Sequence, residues 1–185
     1  MHPEPLRFEL DADLTLRTLV PEDAPELFAV VDSNRHYLRQ WLPWLDANTK
    51  VEHSAQFIES THQARQNNPA FQCAVVYKGQ IVGMCGFHPI QRANRFAPLG
   101  YWLAESATGK GLMSRSVQFF VNHAFEQMDM NKVGIAAAEH NIKSRQIPER
   151  LGFVNEGLER DAEFLYDHYV NHVRYGLLKR EWRKA

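Results

Sequence analysis

The stretch from Leu99 to Phe125 limits the fold more than any other. An apolar run, Leu99-Gly100-Tyr101-Trp102-Leu103, reads as a strand. A short loop holding Gly109-Lys110-Gly111 follows. Beyond it Leu112, Val117, Phe120, Val121, Ala124, Phe125 and Met128 recur at helical spacing, so a helix is expected over Leu112 to Met128. Strand, glycine loop and helix aim backbone N–H groups and a helix N-terminus at one spot, which suits phosphate oxygens. Gly109 and Gly111 allow the tight turn and the close approach of a ligand. Lys110 adds a charge or is simply solvated. Two nucleotide motifs fail here. The triphosphatase loop needs a Gly where Ala104 stands and a Ser or Thr where Gly111 stands. The dinucleotide fingerprint needs a Gly where Ser114 stands. Taken alone, the loop is equally a turn that caps a helix.

The 185 residues suit one domain, 1–185, with a sizeable core. Net charge is −1, so no basic field points to nucleic acid. No run approaches the roughly 20 apolar residues of a membrane span, and no leader has a basic region, an apolar run and a cleavage site. The chain reads as cytoplasmic. Cys73 and Cys85 fall on expected strands as buried thiols, without metal-ligand spacing.

Met1 to Asp11 reads as a polar leader, and Leu14 to Leu19 as the first strand. Pro21-Glu22-Asp23-Ala24 opens a helix with its acids where the dipole favours them. A short helix, Arg35 to Gln40, ends in Trp41-Leu42-Pro43-Trp44-Leu45; the tryptophans are core, a pocket wall or a contact between two copies. Lys50 to Asn67 is a helix whose apolar face holds Val51, Ala55, Phe57, Ile58 and Ala64, with His53 and His62 in solvent. Phe71 to Tyr77 and Ile81 to Phe87 make a hairpin across Lys78-Gly79-Gln80. Gly83 and Gly86 signal a close backbone or a bulge. Ala97 to Leu103 is the strand before the loop. Val133 to Ala138 is a strand, and Asn141 caps the next helix. Pro148 lies inside that helix and cannot bond to the Ser144 carbonyl, so it kinks the helix and aims Ser144, or is merely tolerated. Gly152 suits the helix end. Strands follow near Phe153 to Glu159 and Val170 to Leu178.

Three stretches together resemble the Gcn5-related N-acetyltransferase (GNAT) superfamily. Thr108-Gly109-Lys110-Gly111-Leu112-Met113 is similar to its pyrophosphate loop, [QR]-x-x-G-x-[GA], with Thr108 and Met113 departing from the pattern. Asn141-x-x-Ser144 with Leu151-Gly152-Phe153, and Tyr175 to Trp182, resemble the RimJ/RimL group, which acetylates N-terminal amines of ribosomal proteins. The likeness runs from Leu14 to Trp182. It implies an α/β GNAT fold: a mixed, mostly antiparallel, splayed sheet of about seven strands flanked by helices. The strand before the loop would carry a bulge. The pantetheine arm of acetyl-CoA would pair along Trp102, Leu103 and Ala104. Pyrophosphate would sit on Gly109, Lys110, Gly111, Leu112, Met113 and Ser114, with Arg115 a further contact or solvated.

The resemblance also implies the chemistry. Asn141 would reach the pantetheine arm, and Ser144 would donate to the departing sulfur. Glu163 would accept the amine proton. Asp161, two residues before it on an expected strand, would share its side and raise its pKa. His168 and His172 are alternative bases; their spacing would suit a metal on a helix, not on a strand. Trp41 and Trp44 would flank the acceptor. Acetyl transfer would be direct, without a covalent enzyme intermediate or a metal. The acceptor would be a protein N-terminus, or a small amine such as an aminoacyl nucleotide, polyamine or amino sugar. A coenzyme A-binding module without catalysis is the rival from another class.

Overall fold

The computed structural model describes residues 4–67 and 70–183. Eight strands form one sheet in the order β1-β2-β3-β4-β5-β6-β8-β7. They are β1 (Arg7–Glu9), β2 (Leu14–Arg17), β3 (Gln72–Tyr77), β4 (Gln80–Phe87), β5 (Phe96–Leu103), β6 (Lys132–Ala138), β7 (Val154–Leu165) and β8 (His168–Leu178). The helices are α1 (Ala24–Ser33), α2 (Arg35–Arg39), α3 (Val51–Asn67), α4 (Leu112–Glu126) and α5 (Ile142–Arg150). Every neighbouring pair is antiparallel except β5 and β6. A parallel pair needs a crossover, and α4 supplies it.

Strand alternation divides the core. Leu14, Leu16, Cys73, Val75, Leu99, Val133, Ile135 and Tyr175 meet α4 on one face. Leu19, Ala74, Val76, Ile81 and Met84 meet α1 and α3 on the other. Phe120 of α4 lies edge-on to Phe87, with ring centroids 5.0 Å apart. Both cysteines are buried and free, and they are cross-strand partners.

Four expectations change. The leader contains a strand, β1, which pairs with β2, so the sheet has eight strands. Three residues with charged ends give no periodicity to read. α4 stops at Glu126, short of Met128. The buried stripe of α3 runs through Ser54, Ile58 and His62, while Ala55 and Ala64 face solvent. His62 is only 5% exposed, and its Nε2 lies 2.8 Å from the Leu19 carbonyl oxygen. Polar residues hold these helical positions, which disguises the stripe. The last two strands are longer than read, and β7 runs on through Glu163.

Gly86 bears out the close approach. A Cβ there would meet Gln72 Cα at 2.4 Å and the Phe71 carbonyl oxygen at 2.7 Å. Both are backbone atoms of the paired strand and have no room to yield. Gly86→Ala is therefore expected to cost about 2–3 kcal/mol and to lower Tm by roughly 5–10 °C, which calorimetry would read. Gly79→Ala, with φ +81° and nothing within 4 Å of its Cβ, reads the cost of backbone strain without a clash, against which the clash at Gly86 is compared.

Candidate active site

The sheet opens at its centre. β5 and β6 pair from Phe96↔Lys132 to Leu99↔Ile135 and then part. The β4–β5 register is unbroken from Gly83↔Leu103 to Phe87↔Leu99, so β5 reaches the splay without the expected bulge. The phase of that ladder decides which backbone groups face the gap. The Ala104 N–H donates to the Val82 carbonyl at 2.7 Å, and the His88 N–H to the Pro98 carbonyl at 2.9 Å. Alternation then turns Trp102 toward β4 as well, and leaves the N–H and C=O of Tyr101 and Leu103 facing the gap. Of the three residues expected along the pantetheine arm, only Leu103 faces it with its backbone.

Beyond β5 the chain makes a 3₁₀ turn, Glu105–Ala107. Gly109 has φ +76° and Gly111 φ +71°. Gly111 is the N-cap of α4, and no side chain caps that end. The first-turn N–H groups of α4, from Leu112 to Ser114, have no intrahelical acceptor. The side chains of Leu112 and Met113 enter the core, so only their backbones are available to a ligand. A Cβ at Gly109 or Gly111 would find nothing within 4 Å, so the cradle is open. Free N–H groups, a dipole end and open space fit a diphosphate. Lys110 folds back so that its Nζ donates to the Ser106 carbonyl. Arg115, read as a phosphate contact or as solvated, pairs with Asp11 and lies off the cavity wall. Arg150, at the end of α5, stands closer to the loop: its Nη2 reaches Ser114 Oγ at 3.4 Å and it lines the cavity.

Asn141 caps α5 as expected, its Oδ1 accepting the Ser144 N–H at 3.2 Å. Ser144 is half-buried, and its Oγ lies 3.4 Å from the Tyr101 hydroxyl. Nothing in the sequence marks Tyr101, because its apolar run reads as core and its partner is distant in the chain.

A continuous cavity of about 1550 Å³ runs from the glycine loop through the gap to the opposite face. Trp41, Leu42 and Trp44 line its far end, and the Trp44 and Trp102 rings lie 6.2 Å apart. The β7–β8 hairpin closes over this end. Tyr166 donates its hydroxyl to the Leu42 carbonyl at 2.5 Å, and the Arg39 guanidinium sits 3.7 Å from the Tyr166 ring centre. Glu163 and His172 line the cavity, with Oε2 and Nε2 3.5 Å apart.

Asp161 does not join them. Between Glu159↔His172 and Glu163↔Val170 the register shifts, so three residues of β7 oppose one of β8. Asp161 takes φ +49°, its N–H donates to Asn171 Oδ1, and its side chain is exposed outside the cavity. The bulge breaks the two-residue alternation on which the paired-carboxylate expectation stood. His168 pairs with Asp167 in solvent. Burial pushes the thiols of Cys73 and Cys85 far above the usual range, so neither supplies a thiolate. Among the described residues no three His, Cys, Asp or Glu cluster as a metal would require, and no helix is long and apolar enough to cross a membrane.

Fold and cavity define an acyltransferase that works on a thioester of coenzyme A. The chain belongs to the GNAT acetyltransferases: the Acetyltransferase (GNAT) domain matches residues 13–154. It is an N-acetyltransferase that uses acetyl-CoA. YdaF of Bacillus subtilis (strain 168), provisionally named a ribosomal N-acetyltransferase, is 32% identical over 175 residues, 94% of this chain and 96% of that protein. RimL, a ribosomal L7/L12 α-N-protein acetyltransferase solved with coenzyme A, superposes with a TM-score of 0.89 at 26% identity, covering 94% of this chain and 98% of that one. The microcin C7 self-immunity acetyltransferase MccE, solved with acetyl-CoA and AMP, gives 0.86 at 25% identity, covering 91% and 94%.

Proposed function

We propose that this enzyme acetylates the N-terminal α-amine of a protein, with ribosomal proteins as the substrate class. The carrying observation is that Glu163 stands on the cavity wall 3.5 Å from His172, while the β7 bulge turns Asp161 outward and the other lining acid, Glu156, is paired with Lys132. An α-amine, with a pKa of about 7.7–8.0, is roughly one-tenth neutral at pH 7; a lysine at about 10.4 is neutral in fewer than one in a thousand molecules. Deprotonating lysine asks about 3.4 kcal/mol more of the site. A single carboxylate suits the easier acceptor. The likeness to RimL and YdaF supports the same reading.

Acetyl-CoA supplies an activated acyl group. The N–H groups from Gly109 to Ser114, with Arg150, hold the diphosphate. Tyr101 and Leu103 offer backbone groups to the extended arm, and Asn141 lies on its path. Ser144 Oγ gives a hydrogen bond to the departing sulfur, and Glu163 takes the amine proton. Transfer is direct from acetyl-CoA to the amine and asks nothing of Cys73 or Cys85, both of which are buried.

A second reading rests on the tryptophans. Trp41, Trp44 and Trp102 give the acceptor end flat apolar walls that suit a nucleobase, and MccE was solved in complex with AMP as well as acetyl-CoA. Thiol release from acetyl-CoA, with mass spectrometry of the products, separates the two. The panel holds Ser-, Ala- and Met-initiated peptides, lysine peptides with blocked termini, polyamines and an aminoacyl nucleotide. Acetylation of the free peptide terminus, at least about tenfold faster than of blocked lysine peptides, is the expected result. Turnover of the aminoacyl nucleotide alone would transfer the assignment to the second reading. Binding of acetyl-CoA without any turnover would leave a coenzyme A-binding module.

A further inference from the structure

Pro148 lies inside α5 and has no N–H for the carbonyl of Ser144, four residues earlier. A helix carbonyl stranded on a half-buried turn needs another donor. Tyr101 provides it, its hydroxyl donating to the Ser144 carbonyl oxygen at 3.0 Å. Ser144 Oγ also lies 3.4 Å from that hydroxyl, a long contact that its one proton gives up when it turns to the sulfur. Tyr101 stands on β5 just beyond Leu99, the last residue paired with β6. The contact therefore joins the strand that bounds the gap to the helix that carries Ser144. Desolvation holds the phenol well above its ordinary pKa, so the hydroxyl keeps its proton and remains a donor.

We propose that Tyr101 is a positioning residue, whose hydroxyl replaces the amide N–H that Pro148 lacks and fixes Ser144 beside the gap. This rests on reading Ser144 as the donor to the departing sulfur. Without the phenol oxygen the Ser144 carbonyl is stranded, and the turn of α5 that carries Oγ is no longer held beside the gap. Transfer slows, while the donor substrate, anchored at the α4 loop, binds as before.

The test uses Tyr101→Phe, Pro148→Ala, the double variant and Ser144→Ala, assayed with acetyl-CoA and a Ser-initiated peptide. Tyr101→Phe keeps the ring and the backbone in place. It is expected to lower kcat about fivefold and to leave the acetyl-CoA KM within about twofold. Pro148→Ala returns an N–H four residues after Ser144, so the double variant should recover to within about twofold of Pro148→Ala alone. A structural defect at Tyr101 would not be rescued from position 148. A wild-type rate in Tyr101→Phe, or a double variant as slow as Tyr101→Phe, would overturn the proposal. Hydrogen exchange of the α5 amides needs no acceptor and reads the tether by itself. Faster exchange in Tyr101→Phe, restored in the double variant, upholds it; unchanged exchange ends it. Ser144→Ala separates the two readings: full turnover there removes Ser144 from the chemistry and leaves the tether to the exchange result.

Discussion

Glu163→Gln is expected to lower kcat about 100-fold at pH 7, with the acetyl-CoA KM within about twofold. The loss should shrink as the pH rises. Below the α-amine pKa of about 7.7–8.0 the acceptor arrives protonated, and a group must take the proton. Above it the amine arrives neutral and has less need of a base. The ratio of wild-type to variant rate should therefore fall by about tenfold between pH 7 and pH 9. The donor end of the cavity lies across the gap from Glu163, which keeps acetyl-CoA binding out of the effect. A constant ratio across that range, or an unchanged rate, would take the base role from Glu163. His172, 3.5 Å away, would then be the next residue to test.

Gly111→Ala is expected to raise the acetyl-CoA KM by about tenfold or more with little change in kcat. Two effects add. An L-residue at φ +71° costs about 1–2 kcal/mol, and this strain appears as lost stability. The added methyl also projects into the open space where the free N–H groups of α4 converge. Gly79→Ala separates the two effects. Its φ is +81°, its surroundings are equally open, and it sits in the β3–β4 turn away from the cavity. It should lose similar stability while its KM for acetyl-CoA stays unchanged. An unchanged KM in Gly111→Ala would move the diphosphate off this loop.

Much of this arrangement was legible in the residues. The strand, glycine loop and helix stand where they are read, apart from the absent bulge and a helix end at Glu126, because glycine spacing and helical period are local signals. Asn141 as cap and Pro148 as a missing donor could be read for the same reason. The acceptor side was less legible. Asp161 was placed by strict alternation, and the β7 bulge that turns it outward leaves no mark in sequence. His62 was assigned to solvent because a histidine contributes nothing to an apolar stripe, although its helical position puts it inside. Nothing in the sequence marks Arg150 as a neighbour of the loop or Arg115 as paired away from it, since their partners Ser114 and Asp11 lie in other elements. Tyr101 was hidden for a related reason: its hydroxyl acts on a carbonyl freed by a proline far along the chain.

The splay has a mechanical side. Among the described residues the β5–β6 ladder joins the two halves of the sheet over Phe96–Leu99 and Lys132–Ile135, and beyond that seam each strand presents a raw margin to the other. On the reading proposed for the gap, the donor substrate is in architectural terms a removable ninth strand. Loading then zips the halves into one continuous sheet, and product departure unzips them. The enzyme's rigidity would rise and fall with each catalytic cycle, its working frame completed by the molecule it consumes.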